Sequence, residues 1–303
     1  MKKRIAIIIV GLLIIGITSL TVIPHMIISE MIDLHVEHAT VYKASEYNLV
    51  SEYLELETKD NIQIGAYLVK AEDPKGSIIF LSGIHNPSIT AFYGHAKMVT
   101  EWGYDAYLLE VRAHGASQGN LVSLGYKEVL DVDVLVDQIL SSEKKDAPII
   151  VYGVSMGGAI AINSIGLNDN IDAVISFSAY SSFTDNFIEN MLMMGMPKIY
   201  TSIQKPFISL YTSIRFGFDT RGIYPKNMIR YLDDRPALLI HSSEDDQVPI
   251  GNLERIRANA SENVEHIIKE GNYHMILEGD DFLYPWQDEE YESLIKEFLD
   301  RIE

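Results

Sequence analysis

The sequence predicts an α/β protein, a mostly parallel central sheet with helices on both faces and a small helical cap, on the strength of three observations. From Val50 onward, short β-branched or aromatic runs alternate with helical stretches, the pattern of βαβ units. One of those strands, Ile149 to Tyr152, runs straight into a glycine-flanked turn and then a helix. Between Ser178 and Arg235 the alternation stops and a stretch rich in Met, Tyr, Phe and Ile intervenes. That stretch, residues 178–235, reads as a cap inserted after the sixth strand.

The first element along the chain reads as a membrane span. Lys2, Lys3 and Arg4 precede Ile5 to Ile23, nineteen residues without a charge that end at Pro24, close to the ~20 residues a helix needs to cross a bilayer core. A secretory signal has a shorter apolar core, roughly 7 to 15 residues, and small residues at its cleavage site. Here Leu20-Thr21-Val22-Ile23-Pro24 occupies that place, so residues 1–40 read as an uncleaved signal anchor, with a stalk or interfacial helix over Met26 to Val36. Every basic residue of this segment precedes the span, and the first charges after it are Glu30, Asp33 and Glu37. The positive-inside rule then predicts a single-pass protein of the cell membrane with its N-terminus cytoplasmic and its body, residues 41–303, outside. A chain starting near Tyr42 is expected to stay soluble and active.

In the body, strands are expected at Tyr53–Glu57, Gln63–Val69, Ser77–Leu81, Ala106–Glu110, Ile149–Tyr152, Ala173–Phe177, Ala237–His241 and Val264–Ile268. The first two form a hairpin across Lys59-Asp60-Asn61. Helices are expected at Ala91–Trp102, Ser123–Leu140, Ser155–Ile165, Asn252–Ala258 and Gln287–Ile302, lengths that suit crossovers between parallel strands. No period repeats, so one wound domain is the economical reading.

Charge and composition narrow the partners. A net charge of -19 excludes a phosphate-backbone partner, because nucleic-acid binding depends on clustered Lys and Arg. The absence of cysteine removes disulfides, thiolate metal sites and a cysteine nucleophile. There is no H-E-x-x-H, no P-loop and no dinucleotide fingerprint, so the chemistry is expected to need neither metal nor cofactor. The partners expected are a small-molecule or lipid-like acyl substrate and, through the N-terminal helix, a membrane. Nothing in the sequence sets the oligomeric state.

The candidate chemistry starts at Gly153-Val154-Ser155-Met156-Gly157-Gly158. A nucleophile elbow needs a tight strand-to-helix turn that strains the serine, and its glycines avoid a Cβ that would strike the neighbouring strand and helix. The Met156 N–H, at the helix start, faces the charge that develops on a substrate oxygen. A serine hydroxyl is a poor nucleophile, so a histidine must take its proton and a carboxylate must fix that histidine's tautomer. After the strand ending at His241 stand three candidate carboxylates, Glu244, Asp245 and Asp246. His274 follows the last strand and a Gly271-Asn272-Tyr273 turn, where a loop-borne base belongs; the other eight histidines lie before the nucleophile or in strands.

These motifs resemble the α/β-hydrolase superfamily, and within it the membrane-anchored Bem46-like hydrolases, with a more distant likeness to the serine aminopeptidase and monoacylglycerol lipase group. The likeness runs from about Tyr53 to the C-terminus. It rests on the elbow, on Glu110-Val111-Arg112-Ala113-His114-Gly115-Ala116-Ser117-Gln118-Gly119, which resembles D-x-R-G-H-G-x-S-x-G, and on the acid loop, which resembles H-G-x-x-D-x-x-V-P. Alignment on Val248 and Pro249 implies Asp245 as the acid, with Asp246 as runner-up. Relatives usually carry His-Gly after the third strand, where this chain has Ser82-Gly83-Ile84-His85; Gly83 keeps the turn, which implies the Ile84 N–H as the second oxyanion donor. Ala113 and Ser242 stand where the family often has glycine, and Glu110 where it has aspartate. Arg112 and His114 read as braces for neighbouring loops.

The resemblance implies a serine hydrolase that cleaves an ester, thioester or amide through an acyl-enzyme on Ser155. An acyltransferase or an aminopeptidase using the same triad, or a non-catalytic binding module, are the alternatives. The methionines and aromatics of the cap suit an open apolar cleft. A cap of this size cannot build a deep tunnel, so uncharged short-to-medium acyl esters are the expected substrates.

Overall fold

The computed structural model describes residues 2–141, 147–277 and 280–302. The strands are β1 (Glu52–Glu57), β2 (Gln63–Val69), β3 (Gly76–Leu81), β4 (Tyr104–Glu110), β5 (Ile149–Val154), β6 (Ala173–Phe177), β7 (Ala237–Ser242) and β8 (Val264–Lys269). They form one sheet in the order β1-β2-β4-β3-β5-β6-β7-β8. The β1–β2 hairpin and the β2–β4 pair are antiparallel, and every other pairing is parallel. Every residue of β3, β5, β6 and β7 is buried, because helices cover both faces of a parallel sheet.

The longer helices are α1 (Lys2–Ile32), α2 (Tyr93–Glu101), α3 (Val129–Leu140), α4 (Met156–Ile165), α5 (Phe183–Met193) and α6 (Lys198–Phe216), followed by α7 (Pro225–Met228), α8 (Gly251–Arg257), α9 (Asp280–Leu283) and α10 (Glu289–Leu299). One core layer joins the sheet to α3, α4 and α5 through Val132, Leu135, Ile160 and Met191. The other joins it to α2 and α10 through Met98, Val99, Ile295 and Phe298. α3 starts six residues later than the periodicity predicts. Leu124 and Gly125 turn left-handed at φ 55° and 80°, and the Glu128 carboxylate receives the N–H groups of Ser123 and Gly125 before the helix can begin. α10 likewise starts only at Glu289, where the Asp288 carboxylate caps the Tyr291 N–H.

α1 differs most from expectation. It runs past Pro24 to Ile32 without a break, so no separate stalk helix exists. Its last turns bury Ile28 and Ile32 in the body, and Val36 follows them. The Val36 N–H donates to the Ala113 carbonyl at 2.7 Å, and the Val122 N–H donates to the Ile32 carbonyl at 2.9 Å. A boundary at residue 40 therefore cuts through packed core. The mixed apolar spacing of residues 26–36 suits an interfacial helix equally well, which is why the sequence alone does not reveal this packing.

Candidate active site

Ser155 separates β5 from α4 with φ 57° and ψ -116°, a backbone conformation rarely adopted by a residue with a side chain. The turn is pinned by its neighbours: the Ser155 N–H donates to the Phe177 carbonyl at 2.8 Å. A Cβ on Gly153 would lie 2.1 Å from the Gly157 carbonyl oxygen, and one on Gly157 would lie 2.3 Å from that of Leu81. Neither glycine has a positive φ. Glycine is required here for close backbone approach, which brings the serine to the strand ends with its side chain projecting. Met156 opens α4, and the first N–H groups of a helix have no acceptor within it.

The facing loop leaves β3. A Cβ on Gly83 would come within 3.7 Å of the Ser155 Cβ and 2.7 Å of the Asn86 carbonyl oxygen, so this turn too depends on a missing side chain. His114 holds the next residue in place, its Nε2 lying 2.6 Å from the Ile84 carbonyl while its Nδ1 lies 2.9 Å from the Arg112 carbonyl. Arg112 in turn is buried between Asp131 and Asp60, each at 2.7 Å. Its hydrogen bonds hold the Asp60 carboxyl down at about 2 against the opposing pull of partial burial. Both residues thus brace the loops around Ile84. On the far side, His85 Nε2 lies 2.9 Å from the Met31 carbonyl, which ties this loop to α1.

Asp245 follows β7 and His274 follows β8, and the two meet: His274 Nδ1 lies 2.8 Å from Asp245 Oδ2. The other carboxylate oxygen receives the N–H groups of Gln247 and Val248, both at 2.9 Å. Burial pushes the Asp245 carboxyl up, but these bonds, led by the one to His274, outweigh it and hold the group below its usual value. Glu244 and Asp246 are exposed. The Ser242 hydroxyl, standing where glycine is often found, accepts the Tyr273 N–H at 3.1 Å and so joins the acid loop to the histidine loop. Ile276, two residues beyond the histidine, is left-handed at φ 66° and buried, a strained state for a β-branched residue.

Ser155 and His274 lie between two cavities that share Ile84 and Gln247 with them. The first, about 650 Å³, is walled by the loop Gly83–Pro87, Tyr42, Leu277 and Phe282. The second, about 380 Å³, is more apolar and is lined by Phe183, Phe187 and Met194 of the cap together with Ile27 and Met31 of α1. Neither the α1 residues nor Gln247 stand out in the sequence: two apolar residues near a span, and a glutamine inside a loop pattern, carry no chemical signal of their own.

Residues 72–231 match the family model described as Hydrolase_4: Serine aminopeptidase, S33. The uncharacterized protein YqkD of Bacillus subtilis is 22% identical over 241 residues, which cover 79% of this chain and 76% of that one. Protein bem46 of Schizosaccharomyces pombe is 25% identical over 216 residues, 67% of this chain and 64% of its own length. Among solved structures, the Pyrococcus furiosus esterase Pf2001 superposes with a TM-score of 0.67 at 20% identity, over 89% of this chain and 98% of that one. At that identity the likeness establishes a shared fold.

Proposed function

The chain belongs to the Hydrolase_4 (serine aminopeptidase, S33) family and is a Bem46-like α/β-hydrolase, and from that premise we propose that it cleaves an acyl ester, thioester or amide through an acyl-enzyme on Ser155. The observation that carries this reading is the Asp245–His274 pair lying in one cleft with a serine on a strained elbow. In the reaction, Ser155 Oγ attacks the substrate carbonyl while His274 Nε2 takes its proton. Asp245, bonded to Nδ1, fixes the tautomer that leaves Nε2 free to accept and stabilises the imidazolium that forms. The N–H groups of Met156 and Ile84 receive the oxyanion. Collapse expels the leaving group, which takes the proton from His274. Water then enters by the same route in reverse, releasing the acid and restoring the serine.

The two cavities suit the two halves of such a substrate. The apolar cavity under the cap takes the acyl group, where each buried CH₂ contributes ~0.8 kcal/mol, and the more polar one takes the leaving group. An aminopeptidase is the second reading, and exposed Asp246 in the wall of the apolar cavity favours it as a partner for a free α-amino group. We further propose that α1, the one helix among the described residues long and apolar enough to cross a membrane, anchors the protein with its N-terminus in the cytoplasm and the catalytic body outside.

The test is hydrolysis of soluble short-chain esters and of aminoacyl amides by the full-length protein. Ester turnover is expected to exceed amide turnover and to vanish in Ser155→Ala, a loss of about 10⁵-fold or more, with folding unchanged. Release of N-terminal residues without esterase activity moves the protein to the peptidase reading.

A further inference from the structure

The cap helix α6 buries Ile208 and Phe216 against the body and still leaves a larger set of apolar side chains exposed. Thr201, Gln204, Thr212 and Ser213 are buried, while Ile199, Ile203, Phe207, Leu210 and Ile214 are exposed, Ile199 by 78% and Ile214 by 62%. Those five recur every three or four residues and so form one stripe along the helix. Met193, Met194 and Met196 extend it into the α5–α6 turn, Met194 being 79% exposed. A helix bathed in water turns such a stripe inward, and soluble proteins rarely leave a patch of this kind uncovered.

Three observations identify what covers it. First, α6 lies alongside α1, bonded to it along its length. The Tyr200 hydroxyl and the Gln204 amide both donate to the Ser19 carbonyl at 2.9 Å, the Tyr211 and Ser29 hydroxyls are 2.9 Å apart, and Arg215 pairs with Asp33. Ser19 lies four residues inside the end of the uncharged span at Ile23, about 6 Å at 1.5 Å per residue. The first turns of α6 therefore stand at a depth where α1 itself is clothed in hydrocarbon. Second, residues 190–218 contain no Asp or Glu, in a chain that has 43 of them. Of the three cations there, two are paired, Arg215 with Asp33 and Lys205 with buried Asp185, and Lys198 is the first residue of the helix. Third, exposed Ser202 donates its hydroxyl to the Lys198 carbonyl at 2.8 Å, within the helix, so immersion leaves that donor paired.

We propose that this face of the cap is immersed in the outer leaflet beside α1, and that the substrate is a neutral acyl-ester lipid drawn sideways from that leaflet into the apolar cavity. The proposal rests on the anchoring and the hydrolase reading given above. Ile27 of α1 and Met194 of the α5–α6 turn, both exposed, line the same cavity as Ser155 and His274, so its mouth opens on the immersed surface. A second groove of about 200 Å³ runs between α1 and α6, lined by Leu20, Pro24, Phe207 and Leu210, and offers a seat for a lipid chain. An acyl chain then need not fit wholly inside the protein, which removes the length limit expected from the size of the cap.

Because the chain has no cysteine, single-cysteine variants carry one spin label each. Labels at Ile199→Cys and Ile203→Cys in the full-length protein, reconstituted in phosphatidylcholine–phosphatidylglycerol vesicles, are compared with one at water-facing Asp137→Cys. Immersion predicts strong relaxation by oxygen and weak relaxation by a water-soluble nickel chelate, their ratio at least tenfold above the control. Nickel access equal to the control puts the stripe in water, and poor access to both reagents puts protein over it, a second copy included; either result overturns the proposal. In the same vesicles the double variant Ile199→Glu, Ile203→Glu is expected to lose at least tenfold on an embedded acylglycerol and to stay within twofold of the parent on a soluble short-chain ester. Unchanged acylglycerol hydrolysis overturns the lateral route. If the parent cleaves no ester at all, the substrate half falls with the hydrolase reading, while the spin labels still judge the immersion.

Discussion

On the strand-end side of the cleft, the proposed triad is held by backbone approach and short hydrogen bonds: the elbow closes only because Gly153 and Gly157 lack a Cβ, and Asp245 is fixed by two N–H groups three residues or fewer away. On the cap side, the wall is apolar and assembled from distant parts of the chain, with Ile27 and Met31 meeting Phe183, Phe187 and Met194. The first kind of wall sets reacting atoms to a fraction of an ångström, because each constraint is local and steric. The second sets a surface that tolerates variation in what it holds. Its organisation follows from tertiary packing and from the medium around it.

The largest effect expected from this contrast is on stability. Removing residues 1–41 deletes Ile28, Ile32 and Val36, all buried in the core. At roughly 1.5–3 kcal/mol for each large apolar side chain, an upper estimate of about 5–9 kcal/mol is lost. Removing residues 1–23 keeps all three. Urea unfolding in mild detergent is expected to show the shorter chain largely unfolded and the longer one folded. Equal stability would mean that α1 is an anchor and nothing more.

On the other wall, the effect falls on turnover. Asp245→Asn is expected to cost ~10⁴-fold in turnover by leaving His274 in the wrong tautomer, whereas Asp246→Asn, on an exposed side chain, changes it by less than about threefold. Steady-state kinetics of the two variants on one soluble ester decide between them. Comparable losses would erase the distinction between a fixed acid and a surface one.

The smallest effect concerns the brace behind the strand-end wall. Asp60 titrates at about 2, its hydrogen bonds to Arg112 leading the shift. Its folded pKa lies below its unfolded value, so its stabilisation is complete above about pH 4 and lost as pH falls toward 2. The side chain is 35% exposed, which limits the contribution to under about 1 kcal/mol. Thermal unfolding of Asp60→Asn is expected to match the parent near pH 2 and to fall slightly below it at pH 5 to 7. A gap that widens as pH drops would contradict the sign.

The strand-end wall was largely legible in the sequence. Ser155 is marked by glycines that a steric argument requires, and His274 by its position after the last strand; the two line one cleft. Composition leaves the acid open among three carboxylates, because adjacent residues differ in direction rather than in composition, and only the likeness of the loop to its family pattern implies Asp245. The cap wall was not legible. Residues 26–36 read as a stalk or interfacial helix because their apolar spacing fits any interface, and only the hydrogen bonds of Ile32 and Val36 distinguish packing on protein from packing on lipid. The late start of α3 was hidden for a similar reason, since a carboxylate receiving two backbone N–H groups leaves no periodic signal.

The most direct test of the central claim is to react the full-length protein with a fluorophosphonate and map the adduct by mass spectrometry. An activated serine is labelled and a passive one is not. The account predicts a single adduct on Ser155, its rate sharply reduced in Asp245→Asn and unchanged in Asp246→Asn. Labelling that persists in Ser155→Ala, or that falls on another serine in the parent protein, would contradict it.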